Sequence, residues 1–284
     1  LAVEATLAEG ATLDLTAQGS AFAAVDSYSV PAGSTLVLTA SQANGLAIGG
    51  AGAVRISDIE TTPSADLSGI TAPLTLEVGG TVDLSGNGTL GSATYALGGG
   101  AVLTLGFTQM TAATSLAGEG ELRLTGDAAG ATGVAANVSV LEVDLTGAQN
   151  LGETFAFNGA TTLTVSPDQA AATAFVGDSA SETLIVDYTG VADASDQGTL
   201  ALAGVTLGAG SDRLTFDFGD RAEGDEPALA ITGRIDFGED ADGTDADILE
   251  VFGGALSLAG LGTSPATLTI LGQEDTQFNS KAVL

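Results

Sequence analysis

Short alternations of apolar and polar residues, separated by glycine-rich turns, run through most of the chain. The clearest spans residues 94–109, TYALGGGAVLTLGFTQ, and similar stretches stand at 27–42, SYSVPAGSTLVLTASQ, and 154–169, TFAFNGATTLTVSPDQ. Each contains an aromatic residue, an apolar residue two positions later, a turn of small residues, two apolar residues at alternate positions, and a glutamine. This alternation predicts strand, turn and strand, because successive side chains of a strand face opposite ways. The chain is therefore predicted to be a β repeat protein.

The repeat continues beyond the glutamine. In the first two copies a Gly-x-Gly turn leads into an apolar-Arg-apolar triplet, GAGAVRIS at 50–57 and GEGELRLT at 118–125. The third copy, GDSASETLIV at 177–186, lacks the arginine. We expect Arg55 and Arg123 to pair with nearby acids or to lay their stems along the surface.

The spacing of the predicted strands favours a parallel β-solenoid. Strand centres fall near residues 37, 55, 76, 95, 103, 123, 142, 163, 185 and 203. Most steps are roughly 18 to 22 residues, which fits coils of about 20 residues, so that one long repeat would be about three coils. A row of small antiparallel β-sandwiches is the alternative, since short Gly-Gly turns also suit hairpins. The best helix candidate, residues 169–175, is short and is predicted to be a loop.

Changes in composition and repeat pattern along the chain suggest three regions. Residues 1–26 are predicted to form N-terminal strands that take part in assembly, and residues 27–198 form the repeat region, with copies that start near 27, 94 and 154. Residues 199–284 are predicted to form acidic coils and a C-terminal segment.

Composition excludes several classes of function. The 284 residues include 36 acids and 6 bases, a net charge of −30, and nucleic acid is an unlikely partner for so acidic a chain. With no histidine and no cysteine, Ser-His-Asp and Cys-His catalysis and the common zinc sites are excluded. A carbohydrate-active enzyme needs only paired carboxylates, but its sugar-holding basic residues are scarce here, so we expect no enzymatic activity. No apolar run is long enough for a membrane span, and we expect a secreted protein.

The acidic part of the chain suggests a calcium site. FDFGD at 216–220 is echoed by IDFGE at 235–239, nineteen residues later, so the two are predicted to stack one coil apart, each followed by an acidic loop. Stacked carboxylates repel unless a cation neutralises them, and carboxylate oxygens on turns suit Ca²⁺. A solvated acidic face is the alternative. The predicted Ca²⁺ ligands are Asp212, Asp217, Asp220, Asp236, Glu239, Asp240, Asp242, Asp245 and Asp247.

A local resemblance accompanies this prediction. LGAGSDRLT at 207–215 resembles one nonapeptide of the RTX family, G-G-x-G-x-D-x-U-x, with Leu207 in place of the first glycine. The resemblance implies that Gly208, Gly210 and Asp212 are calcium-binding positions. Two other stretches keep only the acid and the leucine, at Glu182 and Leu184 and at Asp247 and Leu249.

In composition and repeat pattern, the whole chain is similar to repeat regions of large secreted bacterial proteins, namely adhesins and surface-layer proteins. Its Thr/Ala/Gly/Asp content, its L-x-[LV]-x-x-x-Q unit and its lack of cysteine carry this resemblance. It implies a secreted structural protein that self-assembles into a surface layer, an extracellular filament or an adhesive stalk, stabilised by Ca²⁺. The alternatives are a glycan-binding adhesin module, with cell-surface polysaccharide as partner, and a carbohydrate-active β-helix enzyme.

Two sets of repeat residues allow either a structural or a binding role. Tyr28, Tyr95 and Phe155 could form a ladder for sugars, but aromatic residues at repeat positions are expected in the core. The glutamines at 42, 109 and 169 are expected to bond to the backbone of turns rather than to a ligand.

Overall fold

The computed structural model describes residues 3–18, 25–112, 115–130, 138–139, 142–157, 162–178, 180–191, 199–219, 228–237, 247–252, 255–256, 268–271 and 277–280. The chain divides into two compact units. The first comprises Leu1–Thr125 and Asn137–Leu141, and the second comprises Gly126–Ala136 and Glu142–Leu284. The described strands pair in parallel throughout both units, so the predicted β-solenoid is confirmed and the antiparallel sandwiches are wrong.

The first unit contains three sheets. One has the order β1-β3-β5, the second β2-β4-β6-β7-β9-β11-β13, and the third begins β8-β10-β12. The division between the units falls inside β12. The strands are β1 (Glu4–Thr6), β2 (Thr12–Asp14), β3 (Ser27–Ser29), β4 (Thr35–Leu38), β5 (Ala47–Gly49), β6 (Ala53–Ile56), β7 (Leu74–Val78), β8 (Thr81–Asp83), β9 (Thr94–Leu97), β10 (Val102–Gly106), β11 (Ser115–Gly118), β12 (Glu121–Asp127) and β13 (Val138–Ser139).

The second unit is built on two principal runs of paired strands, β14-β17-β19-β22-β24-β27 and β16-β18-β21-β23, with β20, β25 and β26 pairing to β23 and β15 to the end of β12. Its strands are β14 (Glu142–Asp144), β15 (Ala148–Gln149), β16 (Thr154–Ala156), β17 (Thr162–Val165), β18 (Ala174–Val176), β19 (Thr183–Asp187), β20 (Thr199–Ala201), β21 (Val205–Thr206), β22 (Arg213–Asp217), β23 (Ala228–Asp236), β24 (Ile248–Phe252), β25 (Ala255–Leu256), β26 (Leu268–Leu271) and β27 (Gln277–Ser280).

The length of a coil is not constant along the chain. In the first unit Leu36 pairs with Val54, which pairs with Leu74, and these steps match the predicted coil length. In the second unit Leu184 pairs with Leu214 and Leu214 with Leu249, so that these two coils take 30 and 35 residues. The predicted coil length is therefore confirmed in the first unit, and the acidic coils exceed it.

The first two sequence repeats do not lie above one another. Tyr28 of the first copy is in β3, in the three-stranded sheet, whereas Tyr95 of the second copy is in β9, in the sheet that contains β4. Three coils lead from β4 through β6 and β7 to β9, so the repeat is three coils plus one strand. The predicted repeat of about three coils is thus extended by one strand, which places the second copy on another side of the coil.

The core consists of inward-facing residues at alternate strand positions. Leu36, Val54 and Leu103 are fully buried, and each such side chain contributes about 1.5–3 kcal/mol when removed from water. The repeat aromatics are core residues, as expected: Tyr95 and Phe155 are fully buried. A ladder of these rings for sugars is thereby excluded.

A short helix follows the second strand of each repeat: α1 (Ala40–Ala43), α2 (Phe107–Ala112) and α3 (Pro167–Ala172). The prediction of a loop from residue 169 was wrong for the residues of α3. Ser166 is the N-cap of α3 and accepts a hydrogen bond from the Gln169 N–H, while Pro167 supplies a helical φ at the first position. These two residues are enough to start the helix, although it is short.

The repeat glutamine fastens each helix to an earlier corner. In the first unit Gln42 Nε2 donates to the Leu15 and Gln18 carbonyls, and its Oε1 accepts from the Thr39 N–H at 2.8 Å. The other two glutamines do the same: Gln109 bonds to the Leu84 and Asn87 carbonyls and the Gly106 N–H, and Gln169 to the Leu145 and Ala148 carbonyls and the Ser166 N–H. The expectation that these glutamines bond to turn backbone is confirmed. We call this arrangement of Gln42, Gln109 and Gln169 the glutamine staple.

The corner that receives a staple is held by an aspartate. The Asp83 carboxylate accepts the Ser85 N–H at 2.9 Å and its hydroxyl at 2.6 Å, which closes an Asx turn. Asp14 and Asp144 form the same turn at the other two staple corners, and Asp66 forms one at a corner that receives none of the three glutamines. These hydrogen bonds lower the pKa of Asp14 and Asp66. Part of the acidity of the chain thus has a structural use.

The two repeat arginines form exposed ion pairs, as expected, Arg55 with Glu77 and Arg123 with Glu121. Exposed pairs of this kind contribute about 0–1 kcal/mol each. In the part of the chain that the structure describes, no helix is long and apolar enough to cross a membrane.

Candidate functional site

The second unit carries a column of buried acids, Glu182, Asp212 and Asp247, which we call the acid column. Each acid stands one residue before a strand of the same sheet, and those strands pair as Thr183 with Arg213 and Arg213 with Ile248. The acids therefore occupy equivalent positions on three consecutive coils. Their exposed fractions are 1%, 1% and 4%.

Each coil of the acid column is tied to the next by a carboxylate. Asp212 Oδ1 accepts the backbone N–H of Glu182 at 2.8 Å, and Asp247 Oδ1 accepts the backbone N–H of Asp212 at 3.1 Å. Asp212 and Asp247 thus replace the backbone carbonyls that would accept these N–H groups in a regular ladder. The two predicted ligands act here as hydrogen-bond acceptors for the backbone.

The sequence shows how these acids come to face inward. In the first unit the same position, two residues after a Gly-x-Gly turn and just before an arginine, holds Val54 or Leu122, both fully buried. Asp212 stands there after Gly208 and Gly210, and Arg213 follows. The leucines two residues after the acids, 184, 214 and 249, pair across the coils and are buried. The acid-x-Leu similarity of the three stretches is therefore a real structural equivalence.

Glu182, in the acid column, lies in an unusual electrostatic position. Its Oε1 accepts the Asp178 N–H at 2.9 Å, whereas its Oε2 is buried and has no hydrogen-bond partner among the described residues. Desolvation in this corner raises the pKa of Glu182 to about 8, and the carboxylates of Asp178 and Asp212 add to the effect. Only the N–H of Asp178 acts in the opposite direction. Among the described residues, the charged form of Glu182 therefore has no compensating positive charge.

The glycines of this corner allow unusually close packing of consecutive turns. A Cβ on Gly208 would collide with the Asp178 carbonyl, and one on Gly210 would stand 2.5 Å from the Ala180 carbonyl oxygen. These two glycines match the RTX pattern, and the structure uses them to bring the backbone of one turn against that of the preceding turn.

The predicted ligands Asp217 and Asp236 are not stacked. Asp217 lies in β22, which pairs with β24, while Asp236 lies in β23, which pairs with β21 in another sheet. The predicted stacking of the two echo segments was wrong, because the chain passes through β23 in a different sheet before it returns. Asp217 accepts the Gly219 N–H at 2.7 Å, and Asp236 pairs with Arg234 at 2.6 Å.

The remaining predicted ligands, Asp220, Glu239, Asp240, Asp242 and Asp245, lie outside the described residues. Within the described part of the chain, no group of three or more acidic side chains is arranged to hold a metal ion. Two acids of the corner, Asp178 and Glu182, were not among the predicted ligands. The acid-x-Leu similarity could have identified Glu182, but no pattern pointed to Asp178.

Described residues also line two open grooves. One, of about 580 Å³, lies in the second unit beside α3 and includes Gln149, Asn150 and Asp168 in its lining. The other, of about 710 Å³, lies in the first unit and is lined mainly by small residues, such as Thr71 and Thr89. The described residues place no aromatic ring in either lining, so neither groove offers a stacking surface for a sugar.

No protein-family model, curated protein or solved structure matches the chain.

Proposed function

We propose that the chain is a secreted structural protein of a bacterial cell surface, which self-assembles into a surface layer, a filament or an adhesive stalk. The observation that carries this proposal is that polar side chains hydrogen-bond the backbone of one coil to that of another. The glutamine staple and the acid column do this directly, and the Asx turns hold local corners of the coils. A stack of fastened coils is the architecture of a scaffold rather than of a catalyst, and the proposal assigns no enzymatic activity.

The surface that we assign to self-association is the outer edge of β1 and β2. Within the described residues, β1 pairs only with β3 and β2 only with β4. The apolar side chains of Val3 and Leu13 on this coil are 49% and 38% exposed, whereas Leu36, which pairs with Leu13, is fully buried. Unpaired strand edges with exposed apolar residues favour the addition of a further strand. A second copy of the chain is the proposed partner.

This surface can be tested with a charged substitution. Leu13→Lys should reduce assembly, because a lysine on an edge strand blocks pairing. Ala117→Lys is the matched control, since Ala117 is exposed on β11, which has neighbours on both sides. Electron microscopy and sedimentation velocity, with and without Ca²⁺, would measure the effect. A wild-type chain that stays monomeric in both conditions would overturn the proposal, and glycan-array binding by that monomer would favour the adhesin alternative.

Ca²⁺ is the proposed stabilising ion of the acidic coils. Between Asp212 and Glu250 the sequence has 13 acids and three arginines, a charge of 3 − 13 = −10. A cation that binds only the folded protein stabilises it by roughly 2.7 kcal/mol at a concentration a hundred times its Kd. A chelator should therefore lower the melting temperature by more than an equal ionic strength of Na⁺ restores. Indifference of the melting temperature to millimolar Ca²⁺ would remove the metal from the proposal and leave the assembly untouched.

A further inference from the structure

The corner between Asp178 and Asp212 contains a buried carboxylate that no described residue neutralises. Glu182 is 1% exposed, and its Oε2 has no hydrogen-bond partner within the described residues. The side chains that act on its charge are those of Asp178, on the same turn, and Asp212, on the next coil. The nearest arginine along the next coil, Arg213, is engaged by Glu250 at 2.6 Å. A buried carboxylate oxygen without a hydrogen-bond partner is costly, and a bound proton or cation would offset that cost.

The backbone beside Glu182 supplies further oxygen atoms. A Cβ on Gly177 would stand 2.6 Å from Glu182 Oε2 and still closer to the Leu207 carbonyl oxygen. Both oxygens lie near one point, so they can share one Ca²⁺, whose ligand oxygens stand 2.3–2.6 Å from the ion and up to about 5 Å from each other. A side chain at residue 177 would intrude on both oxygens. Glycine at that position therefore fits a ligand cradle as well as close packing.

We propose that a divalent cation of the Ca²⁺ class binds at this corner, held by the carboxylates of Glu182 and Asp178 and by the Leu207 carbonyl oxygen. Two carboxylates balance the charge of the ion, and water completes its coordination shell, since Ca²⁺ takes six to eight oxygen ligands. Asp178 is exposed and gives the ion a route from solvent, while Glu182 provides the buried ligand. The ion would join the turn of Asp178 to the coil of Leu207.

This inference rests on the Ca²⁺ dependence in the proposed function, and it places the ion away from the acidic loops. The RTX resemblance marks Gly208, Gly210 and Asp212, whereas the proposed ligands stand on the preceding turn and at Leu207. Asp212 keeps its role as acceptor for the Glu182 N–H. The corner and the loops can therefore be tested separately.

The experiment is a Ca²⁺ titration by calorimetry on the full chain and on four variants. Glu182→Gln removes the buried charge but keeps the shape, and Asp178→Asn keeps the acceptor for the Ala180 N–H. Each should weaken Ca²⁺ binding at least tenfold and reduce the rise in melting temperature. The double variant Asp240→Asn, Asp242→Asn tests the loops, and Glu142→Gln, on an exposed acid of β14, is the control. These two should bind as the wild type does.

The outcomes separate the two ideas. If Glu182→Gln and Asp178→Asn both bind Ca²⁺ like the wild type while the loop variant does not, the corner site is wrong and the Ca²⁺ dependence stands. If the wild type binds no Ca²⁺, both are wrong. Circular dichroism in chelator shows whether each variant is folded, and Asp178→Asn decides the test should Glu182→Gln fail to fold.

Discussion

The Nε2 atom of Gln109 donates a hydrogen bond to the carbonyl oxygen of Leu84, 25 residues earlier, at 2.7 Å. The second proton of the same amide goes to the Asn87 carbonyl, and Oε1 accepts the Gly106 N–H at 2.8 Å. One side chain thus satisfies three backbone groups on two parts of the coil stack. Glutamine suits this position because it has both an acceptor and a two-proton donor at the end of one side chain.

Removal of a staple should destabilise the protein. Gln109→Ala leaves two carbonyls and one N–H without this partner, and we expect a loss of about 1–3 kcal/mol in the free energy of unfolding. Gln109→Glu should also destabilise, since a carboxylate cannot donate to the Leu84 and Asn87 carbonyls. Urea denaturation followed by circular dichroism measures both. Gln149→Ala, on an exposed residue, is the control. An equal loss of stability there would show that the effect of Gln109→Ala does not come from the staple.

Gly118 and Gly100 both have a positive φ, but their substitution by alanine should change stability by very different amounts. Gly118 has φ of 135°, and its Cβ would collide with the Leu97 carbonyl. Gly100 has φ of 76°, with open space around the position of a Cβ. Gly100→Ala should cost about 1 kcal/mol for the left-handed conformation alone. Gly118→Ala should cost clearly more, because neighbouring coils must separate locally.

Thermal denaturation of the two alanine variants measures this difference. Equal melting temperatures would mean that the coils can move apart at Gly118 without loss. In that case the Gly-x-Gly turn would be a matter of backbone conformation and not of close approach.

The hydroxyl of Tyr95 makes no hydrogen bond within the described residues, although the side chain is fully buried. The third repeat has Phe155 in the equivalent place, also fully buried. Tyr95→Phe removes a desolvated polar group, so we expect stability to be unchanged or raised by up to about 1 kcal/mol. Tyr95→Ala should instead cost about 3–5 kcal/mol through the cavity that it creates. A clear loss for Tyr95→Phe in calorimetry would reveal a partner for the hydroxyl.

The sequence predicted features that depend on a residue's own chemistry and its position in a local pattern. Alternation identified the strands, and the expected core position of Tyr95 and turn role of Gln109 are confirmed. The predicted stacking of residues 216 and 235 was wrong, because the relative position of two segments depends on where a long excursion of the chain returns to the sheet. Equal sequence spacing implies equal register only while every coil has the same length.

The acid column also shows which features of a site could be predicted from the sequence and which could not. The sequence correctly marked Asp212 and Asp247 as unusual, since they carry the acid-x-Leu similarity. Their assignment to a metal stays a prediction, and the structure adds a role as acceptors for N–H groups 30 and 35 residues earlier. The burial that isolates Glu182 arises from packing between coils, which no local pattern reports.

The buried carboxyl of Glu182 should make stability depend on pH in the metal-free protein. Its pKa is about 8 in the folded protein against a reference value of 4.5, so the folded state holds a proton that the unfolded state has lost. The free energy of unfolding then falls as pH rises, with the full contribution present below pH 4.5 and lost above about pH 8. The slope for one proton is about 1.4 kcal/mol per pH unit at most.

Composition makes this titration easy to isolate. The chain has no histidine and no cysteine, so the side-chain types whose reference pKa values lie between about pH 6.5 and 9 are absent. Urea denaturation in chelator across this range should show declining stability for the wild type and for Glu142→Gln. Glu182→Gln, which mimics the protonated acid, should show a flat profile and be the more stable protein at pH 9. A wild-type profile as flat as that of Glu182→Gln would mean that Glu182 is ionised at neutral pH and has a counter-charge after all.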